Sequence, residues 1–282
     1  MKHHLLVSAV VLSGLAPLAL AGSAQVSDDV IAQQQQQLIS NTAGKGFGPQ
    51  SPRDIDSLVG TNPVEFSVAP DYRSMNLCNI HFHAGAEHKG GEFTTYVGNG
   101  DGKGHGSGYR YNGTLTAEQL QPVNRNVCGD AKHSLKAGDT LEVHFVHSSA
   151  SVKPGPTLGA CLSESISNPQ LRVETQVMVL ANDAKALDFG AMTAVTQVNG
   201  YYQAASIPSD KGAPVVYAGS TTGPSYNEKG SPLQVTWSVR PQVAVVNIAT
   251  VADWCDNNPF DENHAHGVRN LVTHPELLSV IE

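Results

Sequence analysis

The sequence predicts a single β-dominated domain, and three observations carry that expectation. Beyond about Gln50 the chain is written in short runs rich in valine, threonine and aromatics: VEFSV, NIHFH, FTTYV, TLEVHFVH, LRVETQVMVL, LQVTWSV and QVAVVNIATV. Clusters of glycine, asparagine and aspartate such as GNGDGKGHGSG and KAGD separate them, which is the punctuation of tight turns. Helix-period patterns are few and short, and neither an internal repeat nor a linker follows residue 50. With 282 residues the chain is long enough for one large domain with a substantial core.

Taken in order, residues 1–24 have a short positive start, an apolar run from Leu5 to Leu20, and the small residues Gly22, Ser23 and Ala24. That is the layout of a secretory signal peptide cleaved near Ala24. Gly14 and Pro17 interrupt the apolar run, which is too short to span a bilayer comfortably. The protein is therefore expected to be secreted or periplasmic, with no membrane insertion after cleavage. Residues 25–45, with their glutamine run, are expected to form a flexible or short helical leader. Residues 46–282 are expected to form the functional domain.

Four cysteines, Cys78, Cys128, Cys161 and Cys255, remain in the exported chain. An even count favours two disulfides, with three pairings open, and no two sit at zinc-ligand spacing. A formal net charge of −8 argues against nucleic acid and anionic membrane as partners.

The stretch CNIHFHAGAEH (78–88) concentrates three of the chain's twelve histidines. Strand alternation puts His81 and His83 on one face and Phe82 on the other. Two imidazoles at i and i+2 can reach one metal, and a third ligand must come from a neighbouring strand. In TLEVHFVH the residues Glu142, His144 and Val146 share one face, whereas Val143, Phe145 and His147 share the other. His144 is thus the cross-strand candidate, with Glu142 placed to accept its second N–H. Three neutral imidazoles and an open fourth position leave the ion's full charge, which lowers the pKa of bound water to about 7. Zn2+ is the expected metal, with Co2+ a possible substitute. His147 reads as a buried structural histidine and His88 as a support. His105 reads as solvated, and the HxH pair His264/His266 lies in a polar, loop-like context where no second metal is expected.

HFHAGAEH followed by LEVHFVH resembles the paired ligand strands of the alpha-class carbonic anhydrases, and GAEH with a cysteine ahead of the histidines is more similar to the delta class. QSPRDI (50–55), YAGSTTGPSYNEKGSPLQVTWSV (217–239) and NPFDENHAHGVRNLV follow in that family's order, so the likeness spans about Gly46 to Val272. The resemblance implies a large, mostly antiparallel central β-sheet with a few short helices. It implies zinc-dependent, reversible hydration of carbon dioxide to bicarbonate and a proton by a metal-bound hydroxide. His81, His83 and His144 would be the zinc ligands, Asn79 and Glu142 would bond ligand histidines, and Glu87 would orient a threonine hydroxyl. Register makes that threonine Thr222, with Thr221 the neighbouring choice. Val146, Val235 and Trp237 would form the apolar wall beside the metal. The family's upstream proton-shuttling histidine has no counterpart between the signal peptide and His81. Two other readings remain open. In a cupin-type metalloenzyme, HxH-x3-E would make Glu87 a metal ligand; the other reading is an exported zinc-binding protein without catalysis.

Overall fold

Thr140–Ser148 is a strand whose every residue is buried, so the chain must cover both of its faces. The fold does this by placing it inside a sheet with an apolar cluster on either side. The computed structural model describes residues 25–220 and 228–280, with ten strands: β1 (Asn76–Ala84), β2 (Thr95–Asn99), β3 (Ser107–Arg110), β4 (Thr140–Ser148), β5 (Leu171–Ala181), β6 (Val195–Val198), β7 (Tyr201–Ala204), β8 (Val215–Ala218), β9 (Val235–Val239) and β10 (Ala244–Asn247). Three α-helices accompany them: α1 (Asp28–Thr42), α2 (Phe189–Thr193) and α3 (Ile248–Asp256).

The central sheet runs β1-β4-β5-β9-β8, with β10 also on β5; β2–β3 and β6–β7 are separate two-stranded ribbons. The β1–β4, β4–β5 and β8–β9 pairs are antiparallel. The sheet is nonetheless mixed, because β9 and β10 both run parallel to β5, β9 along Leu171–Thr175 and β10 along Met178–Ala181. Between β9 and β10 lies Pro241, which has no N–H to give to a ladder. The Gln176 side chain spans the gap, donating from Nε2 to the Gln242 carbonyl at 2.9 Å.

Leu77, Ile80, Phe82, Val143 and Phe145 pack into one cluster with Phe189 and Trp254. Cys78, Val146, Val235, Trp237 and Val239 pack into the other. That Leu77, Ile80 and Phe82 share a face although their spacing is not uniformly even follows from a bulge at Cys78. Leu77 pairs with His147 while Asn79 already pairs with Val146. The extra residue resets the alternation and aims Asn79, His81 and His83 away from the first cluster.

Two of the expected runs behave differently. VEFSV forms no ladder, and Val64 and Val68 are 48% and 59% exposed: β-type residues make a strand only where a partner edge is free. QVAVVNIATV is strand only as far as Asn247, whose side chain then accepts the Ala249 N–H and starts α3. The segment after residue 25 is helical as α1, and its Leu38 is buried with Val272, Leu277 and Leu278. Residues 1–24 lie outside the described residues, among which no helix is long and apolar enough to cross a membrane.

All four cysteines are paired, Cys78 with Cys161 and Cys128 with Cys255. The first bond ties the bulge of β1 to a short turn, and the second ties a surface loop to α3. Both fit a chain matured in an oxidising compartment. Just after β1, Gly85 has φ +101°, and a Cβ there would lie 2.7 Å from the Ser107 carbonyl oxygen. Gly85→Ala is therefore expected to lower stability by about 1–3 kcal/mol through backbone strain, read as a reduced urea midpoint at unchanged slope.

Candidate metal centre

The pairing of β1 with β4 sets His81 directly opposite His144, and His83 opposite Glu142. The sequence patterns therefore arrive at one spot on one sheet face. The ring centroids of His81, His83 and His144 lie 4.8–5.3 Å apart, and their ligating atoms fall within 4.8 Å of one another.

Each ring is held by the nitrogen that faces away from its neighbours. His81 Nδ1–H donates to Asn79 Oδ1 at 2.7 Å, and Asn79 is itself fixed by donating to the Gly155 carbonyl at 3.1 Å. His83 Nδ1–H donates to the Gly267 carbonyl at 3.0 Å. His144 Nε2–H donates to Glu142 Oε1 at 2.6 Å. The free nitrogens are thus Nε2 of His81 and His83 and Nδ1 of His144. His81 Nε2 and His144 Nδ1 are 3.1 Å apart, close to the separation of two donors on one tetrahedral ion with bonds of about 2.0–2.1 Å. Burial, reinforced by the neighbouring imidazoles, holds the His81 pKa well below its usual value. Burial also lowers that of His83 to about 4. Both rings are therefore unprotonated near neutral pH, the form a metal requires. This donor set fits a borderline divalent cation such as zinc.

A hydrogen-bond chain stands behind His144. Glu142 Oε1 also accepts from His88 Nδ1 at 2.7 Å, and its Oε2 accepts the His88 backbone N–H at 2.8 Å. His88 Nε2 accepts from the Tyr217 hydroxyl at 2.6 Å, and that oxygen accepts from Ser51 at 2.8 Å. One tautomer assignment satisfies every member. Burial opposes ionisation of Glu142, but His88 and the bonds from both histidines hold its pKa well below the carboxylate range. Glu142→Gln would turn an acceptor into a partial donor and is expected to weaken metal affinity about 10–100-fold, read by competition with a chelator.

Glu87 lies apart from the imidazole nitrogens that converge. Its Oε2 is 2.8 Å from Arg53 Nη1, with both side chains almost fully buried, and its Oε1 accepts the Arg269 backbone N–H. His83 Nδ1 is 3.6 Å away, on the side of the ring turned from the cluster. Burial would raise the pKa of Glu87, but the Arg53 guanidinium, helped by His83 and His144, lowers it from 4.5 to about 2. Arg53, a part of QSPRDI, is a residue that sequence reasoning left without a role, and its guanidinium also lies 5.7 Å from the Trp237 ring centroid.

A cavity of about 680 Å3 opens on His81 and His83, with Pro156, Leu158 and Phe260 among its apolar lining. Val146, Val235 and Trp237 belong to the second core cluster. Of these, Trp237 meets a ligand ring edge-on, 5.1 Å from His144, and donates from Nε1 to the Gly219 carbonyl. His147 is buried on the opposite face, donating to the Phe145 carbonyl. His266, read from sequence as loop, joins the edge of β1. Its backbone bonds both Phe82 and Ala84, and its ring lies 5.8 Å from those of His81 and His83. The one available signal was its HxH spacing with His264. Thr221 and Thr222 lie outside the described residues.

Residues 72–250 match the family model for delta carbonic anhydrase. The chain belongs to the delta carbonic anhydrase family. As a carbonic anhydrase it acts on carbon dioxide and bicarbonate, and the matched span contains the whole His81–His83–His144 cluster. Solved structures similar to this carbonic anhydrase include the alpha-carbonic anhydrase of Photobacterium profundum, at 16% identity over 81% of this chain and 88% of that one, with a TM-score of 0.26. Another is a hyperthermostable carbonic anhydrase identified from an active hydrothermal vent chimney, at 13% identity over 81% and 86%, with a TM-score of 0.27. No curated protein matches the chain.

Proposed function

We propose that this carbonic anhydrase hydrates carbon dioxide at a zinc ion held by His81 Nε2, His83 Nε2 and His144 Nδ1. The observation that carries the reading is the fixed orientation of all three rings, each tied through its other nitrogen to Asn79, Gly267 or Glu142. Zinc with an open coordination position acidifies bound water to a pKa of about 7, supplying the nucleophile at neutral pH. Around it the chain's own residues orient and exclude. Glu142 fixes the His144 tautomer, and the buried apolar residues about Trp237 keep bulk water from the ligand face. Glu87, held ionised by Arg53, is an acceptor for a hydroxyl proton, and Thr222 is the residue assigned to bridge it to the nucleophile. Ser220, tied by backbone bonds to Pro49 and Ser51, leads the chain into that threonine segment. Residues 1–24 act as the export signal, consistent with the two disulfides.

The cupin-type alternative requires Glu87 on the metal. Its ion pair with Arg53 and its absence from the converging donor set favour the three-histidine reading. The test is stopped-flow CO2 hydration on the mature protein, with bound metal quantified on the same sample. Activity tracking one zinc per chain is the expected result. Zinc without hydration would leave a non-catalytic zinc-binding protein, and iron or manganese would favour the cupin chemistry. Thr222→Ala is expected to lower kcat/KM about a hundredfold by removing an oriented hydrogen-bonding group. A larger loss for Thr221→Ala would move the assignment by one residue.

A further inference from the structure

A second group of imidazoles lies beyond the three that converge, and one of them, His264, also borders the cavity over His81 and His83. His105 comes from the glycine-rich turn joining β2 to β3, His133 from the loop after Cys128, and His264 from the segment after α3. With Gly129, Asp130, Asn263 and Ala265 they line one surface cavity of about 630 Å3. The rings of His105 and His133 are 5.5 Å apart between centroids, close to the 4.8–5.3 Å spacing within the inner cluster. A Cβ built on Gly129 would lie 3.6 Å from the Cβ of His264 and 3.7 Å from that of His133, so the two histidines flank a residue without a side chain. That absence leaves the space between them open.

Two of the three rings are already held from behind. His133 Nδ1 bonds Asp130 Oδ1 at 2.9 Å, and His264 Nδ1 bonds Asn263 Oδ1 at 2.7 Å. In each case the bond fixes the tautomer that leaves Nε2 as a free lone pair, the arrangement found behind metal-ligating histidines. The supports are themselves anchored. Gly129 N–H donates to the Asn263 carbonyl at 2.7 Å, Asp101 Oδ1 accepts the His105 N–H at 3.1 Å, and the adjacent Cys128 is bonded to Cys255.

We propose that His105, His133 and His264, with Asp130 behind His133, form a second, surface site for a borderline divalent cation of the Zn2+, Ni2+ or Cu2+ type. Imidazole donors select that class over calcium or magnesium, which prefer oxygen. The site closes on the ion rather than waiting preformed: among the described residues, only sets that include His144 bring three ligating atoms within 4.8 Å. His133 is 47% exposed, and its rotation onto the ion costs side-chain freedom. Affinity is therefore expected to be well below that of the buried centre, so that the two sites separate by chelator strength.

The test uses untagged mature protein whose inner site is filled with zinc, titrated with Cu2+ and Ni2+ by calorimetry and followed for Cu2+ by electron paramagnetic resonance. One further equivalent with a multi-nitrogen hyperfine pattern is expected. His133→Ala and His105→Ala should each weaken it by more than about tenfold, while the inner zinc stays bound and reports an intact fold. Three outcomes would overturn the proposal: no second equivalent, an oxygen-only copper spectrum in the wild-type protein, or undiminished binding in the His105→Ala/His133→Ala double variant. Because the spectrum is read on the wild-type chain, poor folding of a variant does not blunt the test.

Discussion

His144→Ala is expected to reduce CO2 hydration to the buffer background and to empty the inner metal site. His144 supplies the one ligand from outside β1, so its loss leaves two nitrogens from a single strand and a site open to chelators. The substitution also strips Glu142 of one of its two imidazole partners while His88 retains the other. Stability changes in parallel. A ligand that binds only the folded state at a thousand times its Kd adds about 4.1 kcal/mol, so zinc should raise the melting temperature of the wild-type protein sharply. The variant should melt at the same temperature with or without zinc. Retained hydration in metal-free His144→Ala would contradict the assignment of this cluster as the reaction centre.

Arg53→Met should produce the largest loss of stability among residues that do not touch the metal. It removes the cation from an ion pair with 1% and 2% side-chain exposure, leaving Glu87 buried without its guanidinium partner. Breaking such a pair from one side typically costs about 3–5 kcal/mol. The pH dependence follows from the sign of the shift. The folded pKa of Glu87 is depressed from 4.5 to about 2. Its contribution to stability is thus complete above the unfolded value and disappears as pH falls toward the folded one. In Arg53→Met the depression is largely lost, so the gap between variant and wild type should narrow from neutral pH down to pH 2–3. Urea titrations at several pH values read this directly. Arg53→Met/Glu87→Gln should recover part of the loss at neutral pH. A constant gap across that range would show that Arg53 acts through packing on Trp237 rather than through charge.

The convergence of the three histidines was legible because strand alternation is a local rule. HxH fixes two side chains on one face, and the same parity selects His144 and rejects His147. The bulge at Cys78 was not legible, since nothing in the LCNI stretch marks an extra residue. It resets the alternation upstream of the ligands and leaves their own parity intact. The mixed character of the sheet was hidden for another reason: strands parallel to β5 come from distant sequence, and Pro241 made one broken path look like two runs. His88, Tyr217 and Ser51 come from three separate motifs, and their joining depends on tertiary placement. Arg53 was overlooked because a charged residue near a turn normally faces water, and its buried partner Glu87 lies in a separate motif.

The chain of bonds from His144 through Glu142, His88 and Tyr217 to Ser51 has a consequence for the order of assembly. Its members lie on β4, in the segment after β1, on β8 and in the stretch before β1, so it closes only when the two ends of the domain have met. Loop closure over such separations is slow and comes late. Glu142 is on the same strand as the third histidine, but it is itself fixed from behind only when His88 and Tyr217 have docked, so the hold on that ring is completed last. On the metal site proposed above, capture with full affinity would mark completed folding, and partly folded chains would compete poorly for the ion.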